Sequence, residues 1–314
     1  MGSRCSPFQA NSVIEHHLDM LIASSTDVEI IEACKLLNKF RYIDDILLSL
    51  DNPKQAIAIT KAINKIFGEM AMKVTEFLSN CPELLETIPE QDRNPTTAIA
   101  LQPNGISDQL GSISDTTKIV GLCWNPENDT LSFEQYKKLL EKEIPSSKRS
   151  ISAIIPSIFD VNGEIEPYIL RGKVILSETW AYEKPDSSEN PNDPSTKHSK
   201  LTWDESLPVH LDSEFRAWIK DIELIANYKV KRYLFGSSGK KFHKPPPTER
   251  IEIHAFSDGG GNGYGIVVFV RWEKTPGKFG MRRIFASSRI VSSTSSMSVP
   301  RRELNGIVMA AKKH

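Results

Sequence analysis

Two adjacent carboxylates, Asp44 and Asp45, interrupt an otherwise apolar stretch, KFRYIDDILLSL (residues 39–50), and this pair constrains the fold of the 314-residue chain more than any other feature. Phe40, Tyr42 and Ile43 precede the acids; Ile46, Leu47 and Leu48 follow. Two strand-like runs with polar residues between them predict a β-hairpin with the acids at its tip or at a strand end. Like charges that close repel, which raises one pKa unless a cation neutralises them, and hard paired oxygens suit Mg²⁺. On the dipeptide alone a polar turn explains the pair as well, so the surrounding chain has to separate the two.

That chain is built of helices alternating with hairpins. Val13, Ile14, Leu18, Leu21 and Ile22 predict an amphipathic helix after a Gly/Ser/Pro-containing start, and a second helix follows at about Asp27 to Leu37. The run at residues 53–74 is strongly periodic through Ala56, Ile59, Ile63 and Phe67. MKVTEFLSN then predicts a strand, residues 83–117 a polar connection, and TKIVGLCWNPENDTLSF a hairpin around an Asn-Pro-Glu-Asn-Asp turn. Helices covering one face of antiparallel strands define an α+β class.

Bulk composition narrows the rest. Lys plus Arg total 39 against 40 Asp plus Glu, so a nucleic-acid partner would need a local basic face rather than global charge. No apolar run approaches the roughly 20 residues of a membrane span, so no membrane partner is expected. The four cysteines, Cys5, Cys34, Cys81 and Cys123, form neither a CxxC pair nor a disulfide framework, which predicts a reducing, intracellular setting.

Past residue 133 the pattern changes. EQYKKLLEKEI predicts a charged helix; Lys148 and Arg149 open another, with Ile151, Ile154, Ile155 and Ile158 on one face. Asp160, Asn162 and Gly163 predict a turn, and Pro167 starts a further helix. After a polar, Pro-rich loop at 182–200, Leu211, Phe215, Trp218, Ile222 and Ile225 predict a core-facing helix, with Trp203 and Trp218 both read as packing residues. GSSGKKFHKPPP (236–247) reads as a linker and domain boundary. Beyond it lie three strands, beginning IEIHAFSDGGG, and a helix with Pro300 at its start. Asp258 ends the first strand and Glu303 lies early in the helix.

Four segments in order, GSRCSPFQANSVIEHHL, RYIDDILLS, FLSNCPELL and TKIVGLCWN, closely resemble the palm of reverse transcriptases of Bel/Pao retrotransposons, and the three strands and helix at the end resemble the opening of ribonuclease H. The resemblance implies a fragment of a Pol polyprotein: a partial palm over 1–133, a thumb and connection over 134–245, and the start of a ribonuclease H domain over 246–314. It implies that Ser6, Pro7, Phe8 and Gln9 contact nucleotide and template. Tyr42, Asp44 and Asp45 would form the metal-binding hairpin, and Gly121 and Trp124 the primer-gripping turn. Lys148 and Arg149, with Arg171 and Lys173, would touch duplex phosphates, while Asp258 and Glu303 would hold the nuclease metals. The implied cofactor is Mg²⁺, two ions per site, serving nucleotidyl transfer and RNA hydrolysis.

Implied partners are an RNA template, a DNA primer, dNTPs, an RNA–DNA hybrid and the other parts of the polyprotein, in a cytoplasmic virus-like particle. The sequence departs from the family at Glu76, where a basic residue is usual, and at Val161-Asn162, where Pro-Leu is usual. The third palm aspartate and the later nuclease acids expected of the family are not in the sequence, so the isolated chain is expected to be inactive. A non-catalytic nucleic-acid-binding remnant is the alternative. An aspartic peptidase is a further one, but Asp115-Thr116-Thr117, Asp212-Ser213-Glu214 and Ser257-Asp258-Gly259 all depart from the Asp-Thr/Ser-Gly order such an enzyme needs.

Overall fold

The computed structural model describes residues 5–42, 45–94, 118–119, 122–185, 198–235, 247, 250–261, 263–291 and 297–312. Helices and antiparallel sheets make it α+β, in two compact units. Of the described residues, the first unit takes those up to Ile119 with Asn125–Asp129, and the second takes 122–124 and those from Thr130 onward.

Three helices carry the first unit. Ser6–Ser24 starts earlier than the Gly/Ser/Pro run suggests, because a proline is tolerated in the first turn, where its missing N–H costs nothing. Asp27 caps Val28–Phe40 by accepting from the N–H groups of Glu29 and Ile30, and Asn52 caps Pro53–Glu69 by accepting from Gln55 N. Ile14 and Leu18, Ile30, Cys34 and Leu37, and Ile59, Ile63, Ile66 and Phe67 interlock as one core, with Ile46 and Leu48 leaning on it. Val13, expected on the buried face, is 57% exposed.

Two expectations fail here for one reason. The third helix stops at Glu69 rather than continuing to residue 74, and MKVTEFLSN forms no strand, only an isolated bridge between Phe77 and Arg93. Ala71 and Glu76 both sit at positive φ, 56° and 61°, a region that neither helix nor strand can pass through. The polar connection after it contains a short helix, Pro82–Glu86, and continues into residues 95–117, outside the described set.

The second unit has a helical layer and a three-stranded sheet. Strands Leu122–Asn125 and Thr130–Ser132 form the expected hairpin, with Lys229–Lys231 beside the latter. EQYKKL is a 3-10 segment rather than a longer charged helix, since only Tyr136 and Leu139 of it reach the core. Helices Lys148–Ile154, Glu166–Ala181, Val209–Lys220 and Ile222–Asn227 bury Ile151, Ile169, Ile175, Leu211, Phe215, Trp218 and Ile222 together.

The sheet is ordered Lys278–Ile290, Gly263–Thr275, Ile251–Gly259, all antiparallel. Its central strand buries Ile266, Val268, Val270 and Trp272, every second residue, as a strand with one core face must. The outer edge of Lys278–Ile290 is closed by the turn before the Glu166 helix. Ala286 N donates to Asn162 O (2.9 Å), Ser288 N donates to Glu166 Oε1 (2.8 Å), and Arg283 Nη2 donates to Glu164 O (2.7 Å). Glu166 is only 9% exposed, and Lys173 Nζ, 2.8 Å away, balances its charge. An edge strand left with bare N–H groups invites intermolecular pairing; here the helical layer occupies it. Most of the expected linker, residues 236–246, lies outside the described residues.

Candidate functional site

The sheet and the last helix, Val299–Ala311, position the two acids of the C-terminal segment. Pro300 opens that helix, and Asp258 stands one residue before the end of strand Ile251–Gly259, opposite Gly265. Helix and strand touch through two glycines. A Cβ on Gly259 would lie 2.6 Å from Glu303 N, and a Cβ on Gly306 would lie 3.2 Å from Ser257 Cβ. Only residues without side chains let the two backbones approach this closely.

The contact brings the first turn of the helix against the strand end and sets Glu303 beside the Asp258-Gly259 step. Ser257 and Gly259 face the helix, so strand alternation turns Asp258 to the other side of the strand. Both carboxylates are exposed, and among the described residues neither pairs with a cation. Arg302 Nη1 donates to Gly260 O (2.9 Å) and Gly261 O (2.7 Å), tying the glycine turn after Asp258 to the same helix. In the sequence Arg302 reads only as one of the basic residues of this segment that would suit a hybrid duplex, because a clamp on backbone carbonyls leaves no pattern in the chain. Among the described residues no group of three or more His, Cys, Asp or Glu could hold a metal ion.

The other candidates divide. Tyr42 and Asp45 pair directly across a two-stranded hairpin, Arg41–Tyr42 with Asp45–Ile46, while Ile43 and Asp44 lie outside the described residues. Ser6, Phe8 and Gln9 lie on the first helical turn, all exposed, with Phe8 at 74%. Pro7 begins the same turn, and its side chain is outside the description. Gly121 is likewise outside it, and Trp124 is half-buried under the Arg232 guanidinium, 5.6 Å from the ring centroid.

Each of the basic residues expected to meet phosphates is engaged by an indole or a carboxylate of the protein, while Arg149 and Arg171 stay at the surface. Lys148 is 6% exposed and lies over an indole ring; Arg149 makes a two-pronged pair with Asp204 (2.7 and 2.9 Å). Arg171 pairs with Asp221, and Lys173 with Glu166. Two arginines of the last strand, which add to the basic bias of that segment, are engaged as well: Arg282 donates to the carbonyls of Tyr233 and Lys231, and Arg283 to Glu164. Charge counted along the chain therefore overstates the free cations on this unit. Asp212, weighed as a peptidase acid, sits in a helical first turn and pairs with Arg216, not on a flexible loop.

A family model described as the Pao retrotransposon-like RNaseH-like domain matches residues 147–314. The chain belongs to this Pao retrotransposon family. The matched stretch starts at Ser147, the cap of the Lys148 helix, and takes in both the region expected as thumb and connection and the region expected as ribonuclease H. In the structure this Pao RNaseH-like region is held together by the Asn162–Glu166 closure of the sheet edge. Neither a curated protein nor a solved structure matches the chain.

Proposed function

We propose that the chain is a piece of a retrotransposon Pol polyprotein whose RNaseH-like unit takes an RNA–DNA hybrid and whose Asp258 and Glu303 hold a divalent metal ion, Mg²⁺ by its preference for carboxylate oxygens. What supports this is the close packing of Gly259 against Glu303 N, which brings the backbone of the helix's first turn to the strand end that carries Asp258. Two carboxylates completed by water suit a single Mg²⁺, so the fit is to one ion and not to two.

A bound ion there would acidify a water molecule and polarise a phosphodiester. The chain's own part is to orient: Arg302 fixes the glycine turn following Asp258, and the helix fixes Glu303. With two acids in place, we propose that this chain binds metal and hybrid and hydrolyses RNA weakly or not at all. Titrating the full chain with Mn²⁺, followed by electron paramagnetic resonance, tests the site. Asp258→Asn should weaken binding by at least about tenfold, no less than loss of a supporting residue costs at other metal sites. Equal Mn²⁺ binding by wild type and variant would discard the reading.

A second reading is favoured by the hairpin in the first unit. Tyr42 pairs with Asp45 across a two-stranded hairpin within RYIDDILLS, the segment that resembles a reverse-transcriptase palm, and we propose that this hairpin belongs to the reverse transcriptase of the same polyprotein. In the whole polyprotein, Asp44→Asn should abolish Mg²⁺-dependent primer extension while leaving its circular dichroism unchanged. Extension that survives the substitution would rule out the hairpin as the polymerase centre.

A further inference from the structure

Away from the acids, two indoles stand unusually open. Trp180, at the end of helix Glu166–Ala181, is 45% exposed, and Trp203 is 47% exposed; their rings meet edge to face at 5.5 Å. A tryptophan leaves that much apolar surface in water at a cost, and two in contact form a patch. Beneath them lies Lys148, whose Nζ is 3.9 Å from the Trp180 centroid and 5.7 Å from that of Trp203.

The surroundings of this lysine are unusual. The residue is 6% exposed, yet among the described residues its ammonium meets only the two π-faces, with no carboxylate and no hydrogen-bond acceptor. Cation–π attraction offsets part of the cost of burying its stem, and its three N–H donors, which find no acceptor in the protein, remain open to solvent or a ligand. The acids nearby are already committed: Asp204 to Arg149, and Glu205 to Lys184. Trp203 is held in place, since Arg149 N donates to its carbonyl (2.9 Å) and the Arg149 guanidinium lies 5.6 Å from its ring.

A rigid aromatic corner with an ammonium at its base that no acid of the protein engages matches a ligand that offers a flat π-face next to an anion. We infer that Trp180, Trp203 and Lys148 form a contact site for single-stranded nucleic acid, one base stacking on the exposed indoles and its phosphate meeting Lys148. A duplex keeps its base faces stacked internally and cannot offer one, so the site selects single strands. It is separate from Asp258 and Glu303 and needs no metal.

The test is fluorescence anisotropy of a labelled oligo(dT) or oligo(rU) titrated with the full chain carrying Asp258→Asn, in EDTA, so that the metal site cannot contribute. Binding should weaken as salt rises. Trp203→Ala and Trp180→Ala should each lower affinity by roughly tenfold, and Trp203→Phe, which keeps a stacking ring, should retain most of it. Lys148→Met should lower affinity and flatten the salt dependence. Circular dichroism matching wild type establishes that each variant is folded, and Trp203→Phe carries the comparison if an alanine variant is not. Overturning results are unchanged affinity in Trp203→Ala, loss of affinity in Trp203→Phe equal to that in Trp203→Ala, competition by blunt duplex DNA as strong as by single strand, or no binding at low salt. Self-association of the chain that Trp203→Ala abolishes without changing oligonucleotide affinity would assign the indoles to a protein contact instead.

Discussion

Trp218→Ala is expected to destabilise the second unit by about 3–5 kcal/mol, the range for deleting a large buried aromatic. Trp218 is fully buried, and its ring stacks on Tyr168 at a centroid distance of 4.6 Å and an interplanar angle of 8°. The two residues are also bonded reciprocally: Trp218 Nε1 donates to Tyr168 O (3.0 Å), and Tyr168 Oη donates to Trp218 O (3.1 Å). Burial pushes the Tyr168 phenol well above its ordinary range, so its hydroxyl is a donor at neutral pH. Alanine would leave a cavity and remove the second bond to the Tyr168 carbonyl, which keeps its helical partner. Trp218→Phe keeps the stack and loses the indole donor while the Tyr168 carbonyl keeps its helical bond, so it should cost less, about 0.5–1.5 kcal/mol for the hydrogen bond plus the smaller ring's lost contacts. Guanidinium denaturation monitored by near-ultraviolet circular dichroism measures both, and a Trp218→Ala midpoint equal to wild type would contradict this account of the core.

The second large effect is expected at Gly163. Its φ is +71°, and a Cβ there would lie 1.9 Å from the carbonyl oxygen of Ala286. Gly163→Ala therefore meets two penalties at once. The left-handed backbone costs a non-glycine residue about 1 kcal/mol, and the collision is with backbone that cannot rotate aside. Strand Lys278–Ile290 has to move off the turn, which breaks the bond from Ala286 N to Asn162 O and disturbs Arg283 with Glu164 and Ser288 with Glu166. With each buried polar group so stranded costing about 1–3 kcal/mol, the total loss should reach about 3 kcal/mol or more. Hydrogen exchange reports it locally: the amides of Ala286 and Ser288 should lose protection in the variant while those of the central strand, which pair with both neighbours, lose less. Uniform protection would mean that the turn does not secure the sheet edge.

These two residues also show how differently the sequence speaks of core and contact. Trp218 is readable, because Leu211, Phe215, Trp218 and Ile222 repeat at helical spacing and periodicity is a property of the chain alone. Trp203 looks equivalent in sequence but is half exposed, since it lies in no helix whose spacing would assign it a face. Gly163 reads as an ordinary turn. What makes it indispensable is a strand more than a hundred residues later, and nothing in local spacing encodes that approach.

Charge follows the same division. Lys148, Arg149, Arg171 and Lys173 look like a basic surface in the sequence, yet each is engaged by an indole or a carboxylate brought near by folding. The strand expected at MKVTEFLSN fails because Glu76 takes a left-handed conformation, which no propensity assigns to a glutamate.

By itself the sequence determined the α+β class, the acid hairpin at Tyr42–Asp45, and the three strands and helix that carry Asp258 and Glu303, because alternation and helical period are set by neighbours along the chain. Only the tertiary structure decided that Gly259 and Gly306 let helix and strand close on each other, that Asn162–Glu166 seals the sheet edge, and that Lys148 lies beneath two open tryptophans. Those are meetings of residues distant in sequence, fixed by which surfaces fit and which polar groups find partners once the chain has folded.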